Sequence, residues 1–530
     1  MRRWNGWGDD TIEYPLPENA AAFLDELVGP GKPPVDAPLA EVVAAVPPSR
    51  LPPHPLVKTD AAQRVLHARG QSLPDWVALR YGRLPTTPDG IAQPTSEEEV
   101  ADLLQYAANA GVQVIPYGGG TSVVGHINPQ ADAPPTLTVN TQRLNKLLAL
   151  DEASRLATFG AGVQGPDLEA QLRAHGYTLG HFPQSFEYST LGGWVVTRSS
   201  GQQSLGYGRI EHLFAGGTLL APAGRLEMLP HPASAAGPDL RQLVLGSEGR
   251  MGILTQATVR ISALPEREDF HAVFFPDFES GQAAARQMMQ AGIPLSMLRL
   301  STAVETTTTL ALAGHEQLIG LLERLLAIRS VEAGKCMLLL GFTGSNALVK
   351  MARGAALEMT GNHGGVHVGR TFGSQWHKGR FRTPYLRNSL WQQGYAVDTL
   401  ETAVPWANVP ATLQAIEDAL HPALAEWDER VHVFTHLSHM YGDGASIYTT
   451  YLFRLTADPE ETLARWRKMK AAASEAIVAN HGTISHQHGV GTDHAPYLPA
   501  EKGTLGMAAL CNAIHTFDPA GMMNAGKLVE

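Results

Sequence analysis

The chain has 530 residues and a mass of 56.9 kDa, a length that suits three or four domains of about 150 residues each. It carries 40 Lys and Arg residues against 51 Asp and Glu residues, a net charge of −11. A nucleic-acid binder would therefore need a local basic patch, and we find none. Hydrophobic residues make up 44% of the chain and charged residues 17%, which excludes a disordered protein.

Compartment and membrane association are constrained by equally simple features. Two cysteines, Cys336 and Cys511, are too few for a secreted disulfide framework. The first residues are basic, but the polar, Gly-rich stretch 4–10 follows, so no secretory signal is predicted. No window approaches the roughly 20 apolar residues of a spanning helix. The sequence predicts a cytoplasmic protein with no transmembrane segment and no nucleic-acid partner.

Proline interrupts residues 1–85 repeatedly, which predicts short helices joined by extended connectors. The pattern changes at Ser96, which with Glu99 has the spacing of a capping box. Apolar residues at 100, 103, 104, 107 and 108 predict one helix face, and Gly111 is expected to end that helix. A short strand is predicted at 112–115, directly before three consecutive glycines.

The remaining elements predict two further regions. Strands are expected at 136–139, 156–159 and 252–261, with a helix at 166–175 that its proline opens, and a boundary near 264–265. Beyond it, leucines at 318, 321, 322, 325 and 326 have helical spacing, and strands are expected at 270–275 and 447–454. This α+β region covers roughly 266–460. The last 70 residues begin with a helix at 460–480 and end in loops.

The strongest chemical signal is the loop 116–122, Pro-Tyr-Gly-Gly-Gly-Thr-Ser. Three glycines permit positive φ and close backbone approach, so several N–H groups can converge on one pyrophosphate. We expect Gly119 to reject a β-branched side chain for both reasons. The loop lacks the Lys-Ser/Thr of a P-loop, and Val123 stands where a dinucleotide fingerprint has glycine. A lone Gly-Gly-Gly is otherwise typical of a tight connection.

Three more loops combine small residues with hydroxyls: 183–193, 197–201 and 246–254. With the glycine loop they resemble the flavin-binding segments of FAD proteins of the vanillyl-alcohol-oxidase type. Within that type the chain resembles the alkyldihydroxyacetone-phosphate synthase family. Segments 3–8, 400–406, 486–491 and 518–527 extend the resemblance over nearly the whole chain.

The resemblance implies an α+β fold. An FAD-binding domain would cover 86–265 and a cap (substrate) domain 266–460, with helical segments at 1–85 and 461–530, the latter near the flavin. It implies FAD held non-covalently, since the glycine loop contains no Cys or His. The implied cofactor-binding residues are Pro116, Tyr117, Gly118, Gly119, Gly120, Thr121, Ser122, Gln184, Ser185, Phe186, Glu187, Tyr188, Ser189, Thr190, Thr197, Arg198, Ser199, Ser200, Glu248, Gly249, Arg250, Met251, Gly252, Ile253 and Leu254.

The same resemblance implies the reacting groups. Tyr448 matches an acid/base tyrosine, Arg387 an arginine that binds the anionic end of the substrate, and Arg299 another arginine needed for activity. His486 and His488 match the outer members of a three-histidine run whose middle member is Gln487 here. A tyrosine acts as a base only beside positive charge or donors, because its ordinary pKa is about 10. His486 and His488 are expected to supply this positive charge or these hydrogen-bond donors.

Other interpretations of these residues stay open. Tyr448 lies in a predicted strand and Arg387 could pair on the surface, so both could be structural. His432, His436, His439, His486 and His488 have spacings that can hold a metal, although nothing fixes a complete ligand set and none is predicted to be bound.

The expected function is exchange of the acyl group of acyl-dihydroxyacetone phosphate for a fatty alcohol, a step in ether lipid synthesis. The alternative is an FAD-linked dehydrogenase or oxidase of a 2-hydroxy acid or glycerol phosphate. A third possible function is that of a non-catalytic flavoprotein. The expected partner is a small or lipid-like substrate with an anionic group, and a homodimer is compatible with the sequence.

Overall fold

The computed structural model describes residues 2–313 and 316–529. Their strands form a four-stranded, a five-stranded, a two-stranded and a seven-stranded sheet. Among these residues no helix has the length and apolar character needed to cross a membrane. The sheets divide between two α+β units, and both ends of the chain pack at the junction of the units.

The N-terminal segment contains short helices separated by extended chain, as its prolines predict. Ser72 accepts a hydrogen bond from the backbone N–H of Asp75 (3.2 Å) and so caps the fourth helix. The Trp7 ring lies edge-on to Tyr188 of the first unit, with centroids 5.6 Å apart. The elements are α1 (Glu18–Val28), α2 (Leu39–Ala44), β1 (Val57–Lys58), α3 (Ala61–Leu66) and α4 (Leu73–Arg80).

The first unit contains three sheets, in the strand orders β1-β2-β4-β3, β5-β6-β10-β8-β9 and β11-β7. Strands β2 and β3 run parallel to β4, and the five-stranded sheet is antiparallel. The elements are β2 (Gly90–Ala92), α5 (Glu97–Ala110), β3 (Gln113–Tyr117), β4 (Thr136–Asn140), β5 (Leu147–Asp151), β6 (Leu156–Gly160), α6 (Gly165–Arg173), β7 (Tyr177–Thr178), α7 (Leu191–Thr197), α8 (Ser204–Tyr207), α9 (Ile210–Leu213), β8 (Phe214–Ala221), β9 (Gly224–Met228), α10 (Arg241–Val244), β10 (Ile253–Arg260) and β11 (Ser262–Ala263).

Helix α5 confirms the prediction from its sequence. Ser96 accepts from the N–H of Glu99 (3.3 Å), and Gly111 ends the helix in the left-handed conformation at φ +64°. Val100, Leu103, Leu104 and Ala107 are buried under the four-stranded sheet, whereas Ala108, predicted on the same face, is exposed. Strand β3 then delivers the three glycines to the junction between the units.

The second unit is built on one antiparallel sheet in the order β15-β12-β14-β13-β17-β18-β16. Its elements are β12 (Arg267–Phe275), α11 (Phe278–Gln290), β13 (Met297–Ser301), α12 (Ala303–Ala313), α13 (Glu316–Ala327), β14 (Cys336–Gly344), α14 (Asn346–Asn362), β15 (Val366–His367), α15 (Thr371–Gly379), α16 (Thr383–Gln392), β16 (Tyr395–Pro405), α17 (Val409–Leu420), β17 (His432–Met440) and β18 (Gly444–Arg454).

The last residues connect the two units. Helix α18 (Pro459–Ala479) confirms the helix predicted there, and it packs on α17. Helix α19 (Leu498–Phe517), kinked at Gly503, lies where the sequence predicted loops; its Gly, Pro and polar residues obscure the apolar face. Residues of α19 and the chain end join the core of the first unit. Single 3-10 turns lie at Thr141–Arg143, Trp406–Asn408, Ala425–Trp427 and Ala495–Tyr497.

Candidate active site

A cavity of about 890 Å³ lies between the glycine loop and one face of the seven-stranded sheet. Side chains two residues apart on a strand point to the same face. Accordingly His436 and Ser438 of β17 and Tyr448 and Thr450 of β18 all line this cavity. Backbone and small residues of the first unit form the opposite wall. The site is therefore shared between the two units.

The glycine loop is shaped by its packing against the segment 188–190. A Cβ on Gly119 would lie 2.0 Å from the carbonyl oxygen of Tyr188, and one on Gly118 would lie 2.3 Å from the Thr190 hydroxyl. Only Gly120 of the three has positive φ (+64°). The positive φ expected at Gly119 was wrong, and close contact with a neighbouring backbone is what requires glycine there.

Most predicted cofactor-binding residues lie on the cavity wall. Those that do are Pro116, Tyr117, Gly118, Gly119, Gly120, Thr121, Ser122, Gln184, Ser185, Ser189, Thr190, Thr197, Ser199, Ser200, Glu248, Gly249, Gly252, Ile253 and Leu254. Residues behind the wall are Phe186, Glu187, Tyr188, Arg198, Arg250 and Met251.

The residues behind the wall hold its loops in place. Phe186 stacks on Phe381 at 5.0 Å, and Met251 is buried in the core of the first unit. Arg250 Nη1 donates to the carbonyl of Met523 (2.8 Å), which ties its loop to the C-terminal segment. These protein contacts account for the positions of the three side chains without any contact with a cofactor.

The wall of the first unit fits FAD. In the described part of the chain, no hydrogen bond uses the backbone N–H of Gly119, Gly120, Thr121 or Ser122. The buried Ser200 hydroxyl also lacks a partner there. Gly119 and Gly120 are buried, whereas Thr121 and Ser122 are half-buried. Buried donors need an acceptor, and pyrophosphate and flavin oxygens are acceptors.

His126 lies close to the glycine loop, but protein groups face both of its ring nitrogens. Its Nδ1 lies 2.8 Å from the Ser122 hydroxyl, and its Nε2 lies 3.1 Å from Glu248 Oε2. Only the Nδ1 contact is a hydrogen bond, because the Nε2 atom has no hydrogen-bond partner among the described residues. Non-covalent attachment of FAD therefore stays an expectation from the family resemblance.

Arg387 lies at the end of the cavity nearest the N-terminal segment. Its Nη1 donates to the carbonyl of Gln71, and its guanidinium carbon lies 4.5 Å from the centre of the Trp76 ring. Its Nη2 is buried without a hydrogen-bond partner in the described residues. Burial lowers the pKa of Arg387, and Asp398 and Tyr448 partly offset that effect. A fixed cation with an unpaired N–H group can receive one anionic group of a ligand.

Tyr448 packs between two imidazoles. Its ring stacks on His436 (4.9 Å, 23°) and meets the edge of His488 (5.7 Å, 79°). Burial raises the pKa of Tyr448, and Glu401 raises it further. A hydrogen bond with Thr399 and the charge of Arg387 act in the opposite direction but are outweighed. Tyr448 is therefore a neutral phenol at rest, and needs a proton acceptor before it can act as a base.

The histidines do not supply the positive charge that the sequence suggested. Burial lowers the pKa of His486 to about 4 and also lowers the pKa of His488. Both are neutral at pH 7.

Arg299 belongs to a buried triad that sequence reasoning missed. Its Nη2 contacts Glu305 Oε1 and lies 3.2 Å from His436 Nδ1, which is 2.9 Å from Glu305 Oε2. Burial raises the pKa of Glu305, but His436 and Arg299 outweigh it, so the net shift is downward. The triad fixes Arg299 on the cavity wall. Period-two alternation on β17 could have placed His436 here, but no local signal identifies Glu305.

His486 lies behind the wall and does not line the cavity. Its Nδ1 is 3.0 Å from Glu401 Oε1 and its Nε2 is 2.6 Å from the Tyr441 hydroxyl. Arg209 also contacts that Nε2 and donates to the carbonyl of Arg198 (3.1 Å) in a predicted flavin loop. His439 occupies the wall in front of this network.

Within residues 2–313 and 316–529, the one group that could hold a metal is Glu401, His439 and His486, whose ligand atoms lie within 4.8 Å of one another. Both nitrogens of His486 already face hydrogen-bond partners, and the Arg209 cation contacts one of them. A second cation there would be repelled. His432 and His488 take part in other contacts, with Thr308 and Tyr448.

Comparisons with known proteins agree with this geometry. The family described as FAD binding domain matches residues 88–229, and the family described as FAD linked oxidases, C-terminal domain, matches residues 264–528. A solved p-cresol methylhydroxylase, 12% identical, covers 89% of this chain and 93% of its own with a TM-score of 0.65. It supports the expected vanillyl-alcohol-oxidase type of fold.

Two more similar proteins share one name. The alkyldihydroxyacetonephosphate synthase of Dictyostelium discoideum is 30% identical over 99% of this chain and 93% of its own. A solved alkyldihydroxyacetonephosphate synthase is 27% identical, with a TM-score of 0.85 over 99% of this chain and 98% of its own. The chain therefore belongs to the alkyldihydroxyacetonephosphate synthase family and is an FAD-dependent enzyme.

Proposed function

We propose that this chain exchanges the acyl group of acyl-dihydroxyacetone phosphate for a fatty alcohol, forming an ether bond. The observation that carries the proposal is the buried, unpaired N–H group of Arg387 in the cavity that Tyr448 also lines. A phosphate at Arg387 would complete its hydrogen bonds and place the neighbouring carbon chain near Tyr448.

The cavity continues from Tyr448 into an apolar arm over the seven-stranded sheet. In the register of β17 and β18, His436 pairs with Tyr448, Phe434 with Thr450, and His432 with Leu452. The apolar wall of the arm is formed by Leu24, Met297, Leu310, Leu312, Met337, Leu339, Phe372, Trp376, Leu390, Val397, Phe434 and Leu452. An arm of this character suits the hydrocarbon chain of an acyl group or fatty alcohol.

The side chains around the bound FAD would bind the substrate and move protons. The flavin ring would supply an electrophilic and nucleophilic centre. Tyr448, protonated at rest, would receive or release the proton that the substrate carbon and the alcohol exchange. His488 lies at the edge of the Tyr448 ring and is neutral, so it can accept a proton. Arg299, held by Glu305, would add a second positive group to the wall.

The exchange balances without an oxidant. The bond between the substrate carbon and the acyl oxygen breaks, and the fatty acid leaves. A bond from the same carbon to the alcohol oxygen forms, and the alcohol proton leaves with the acid. Gln487 lines the cavity where the family has a histidine, so in our proposal His488 and Tyr448 carry the proton without that third imidazole. We also propose that FAD is dissociable and that the enzyme is cytoplasmic.

The proposal is tested by incubating purified holoenzyme with palmitoyl-dihydroxyacetone phosphate and hexadecanol, without an electron acceptor. We expect the ether product and free palmitate in equal amounts by mass spectrometry. A parallel anaerobic incubation with lactate, glycolate or glycerol phosphate should leave the visible flavin band unchanged. No ether product, together with bleaching by one of those three compounds, would establish the dehydrogenase instead.

A further inference from the structure

A polar pair lies inside the apolar arm, four residues along β17 from His436 and one turn along α12 from Glu305. His432 and Thr308 both line the cavity, and Thr308 Oγ1 lies 2.9 Å from His432 Nε2. Strand residues four positions apart are separated by about 13 Å, so His432 lies about that far from His436. Its neighbours on the wall are Phe434 and Leu452. Phe434 on β17 and its partner Thr450 on β18 lie between the pair and Tyr448.

The hydrogen bonds of the pair fix which atoms remain available. Thr308 donates its hydroxyl proton to the carbonyl of Val304 (2.8 Å), so its oxygen accepts from the Nε2–H of His432. Burial lowers the pKa of His432 to about 4, so the ring is neutral at pH 7 and its Nδ1 is an acceptor. No hydrogen bond of the described residues uses that Nδ1. An acceptor in an apolar channel needs a donor.

We propose that His432 and Thr308 form a second recognition site, which binds a hydroxyl group carried on the substrate chain about 13 Å from the reacting end. This inference rests on the proposed function, since it assigns a chemical feature to the chain that the arm receives. A hydroxyl fits because its O–H can donate to Nδ1. A carboxylate or a carbonyl has no proton to donate, and a plain hydrocarbon leaves Nδ1 unpaired.

The experiment uses holoenzyme and matched pairs of commercial alcohols. Dissociation constants of 1-octanol, 1-decanol and 1-dodecanol are compared with those of 1,8-octanediol, 1,10-decanediol and 1,12-dodecanediol, through tryptophan fluorescence. Trp376 lines the arm and serves as the reporter. At each chain length we take the ratio of the dissociation constant of the monoalcohol to that of the diol. We expect this ratio to be about five- to tenfold larger at one length than at the other two. A ratio that is the same at all three lengths would overturn the inference.

Substitutions then locate the preference. Thr308→Val and His432→Phe keep the shape of the wall and should reduce the ratio to about one, whereas Thr308→Ser should retain it. Thr309→Val is the control, because Thr309 lines the same arm and has no hydrogen bond with His432 in the described residues. Flavin content and circular dichroism verify folding. A length-dependent preference that survives both Thr308→Val and His432→Phe would overturn the assignment.

The same proteins distinguish this inference from the proposed function. Ether formation from hexadecanol with no diol preference would reject the second site alone. A diol preference in a protein that forms no ether would reject the reaction and keep the site. If no alcohol or diol binds and no ether forms from hexadecanol, both fail.

Discussion

The two walls of the cavity are built in different ways. The wall of the first unit consists of loops in which glycines, hydroxyls and backbone N–H groups occur in short continuous runs. The wall of the second unit consists of side chains from five strands and three helices spread over about 150 residues: β13, β14, β16, β17, β18, α12, α15 and α16. The first wall suits one large, invariant ligand, and the second suits a reaction and its substrate.

This difference separates two kinds of sensitivity. A backbone wall fails when atoms are added to it, because its loops already touch, whereas a side-chain wall fails when functional atoms are removed. Additions to the first wall should therefore abolish cofactor binding, and removals from the second should leave the flavin bound and reduce turnover.

The largest effect is expected from Gly119→Val. A Cβ there would lie 2.0 Å from the Tyr188 carbonyl oxygen, so the loop must move away from the segment 188–190. We expect purified protein without flavin absorbance. Gly361→Ala is the control, because an added Cβ on Gly361 meets nothing within 4 Å. Flavin at wild-type stoichiometry in folded Gly119→Val protein would remove this loop from the cofactor site.

Tyr448→Phe tests the second wall by removing one oxygen. FAD content should be unchanged, and turnover should fall by about 10²–10⁴-fold, the usual contribution of a positioned acid or base. Single-turnover ether formation measures the loss. Tyr106→Phe removes a hydroxyl bonded to the Pro52 carbonyl outside the cavity and should have no such effect. Full activity in Tyr448→Phe would make Tyr448 a packing residue.

Arg387→Lys should weaken substrate binding by about 1.5–3 kcal/mol, the range for hydrogen bonds to charged groups. An ammonium cannot both donate to the Gln71 carbonyl and present a second N–H in the same plane. The Michaelis constant for the phosphate substrate is the measurement. Arg382→Lys is the control, since Arg382 also lines the cavity but stacks on Tyr14. Equal effects of the two substitutions would contradict the anion site at Arg387.

The smallest effect on turnover is expected from His486→Gln, because His486 lies behind the wall. Its consequence should instead appear in stability. The pKa of His486 is about 4 in the folded protein and about 6.5 when unfolded, so the unfolded chain binds the proton first as pH falls. The contribution of His486 to stability is complete above pH 6.5 and is lost towards pH 4.

Urea unfolding of wild type and His486→Gln at pH 7 and pH 5 measures that contribution. The wild type should lose more stability between the two values than the variant does. If His486→Gln retained flavin and lost as much turnover as Tyr448→Phe, His486 would be one of the reacting groups. The distinction between residues on the cavity wall and residues behind it would then fail.

The sequence by itself determined much of the first unit. The capped helix α5, strand β3 and the glycine loop are local features, since caps, turns and strand alternation depend on residues a few positions apart. Helix α19 was missed because its sequence has no clear apolar periodicity. The loops of small residues were found for the same local reason, because backbone approach requires small residues in continuous runs. Their assignment to the flavin came from the family resemblance and stays a prediction.

Only the tertiary structure decided which side chains of the second unit meet. The register of β17 and β18 places His436 beside Tyr448, and α12 brings Glu305 to Arg299. The same packing puts His486 behind the wall and His439 in front of it. The partners are six positions apart for Arg299 and Glu305, twelve for His436 and Tyr448, and more than forty for His439 and His486. Strand register, which no short segment encodes, decided the pairing of His436 with Tyr448, and the packing of α12 against β13 and β17 decided the position of Glu305.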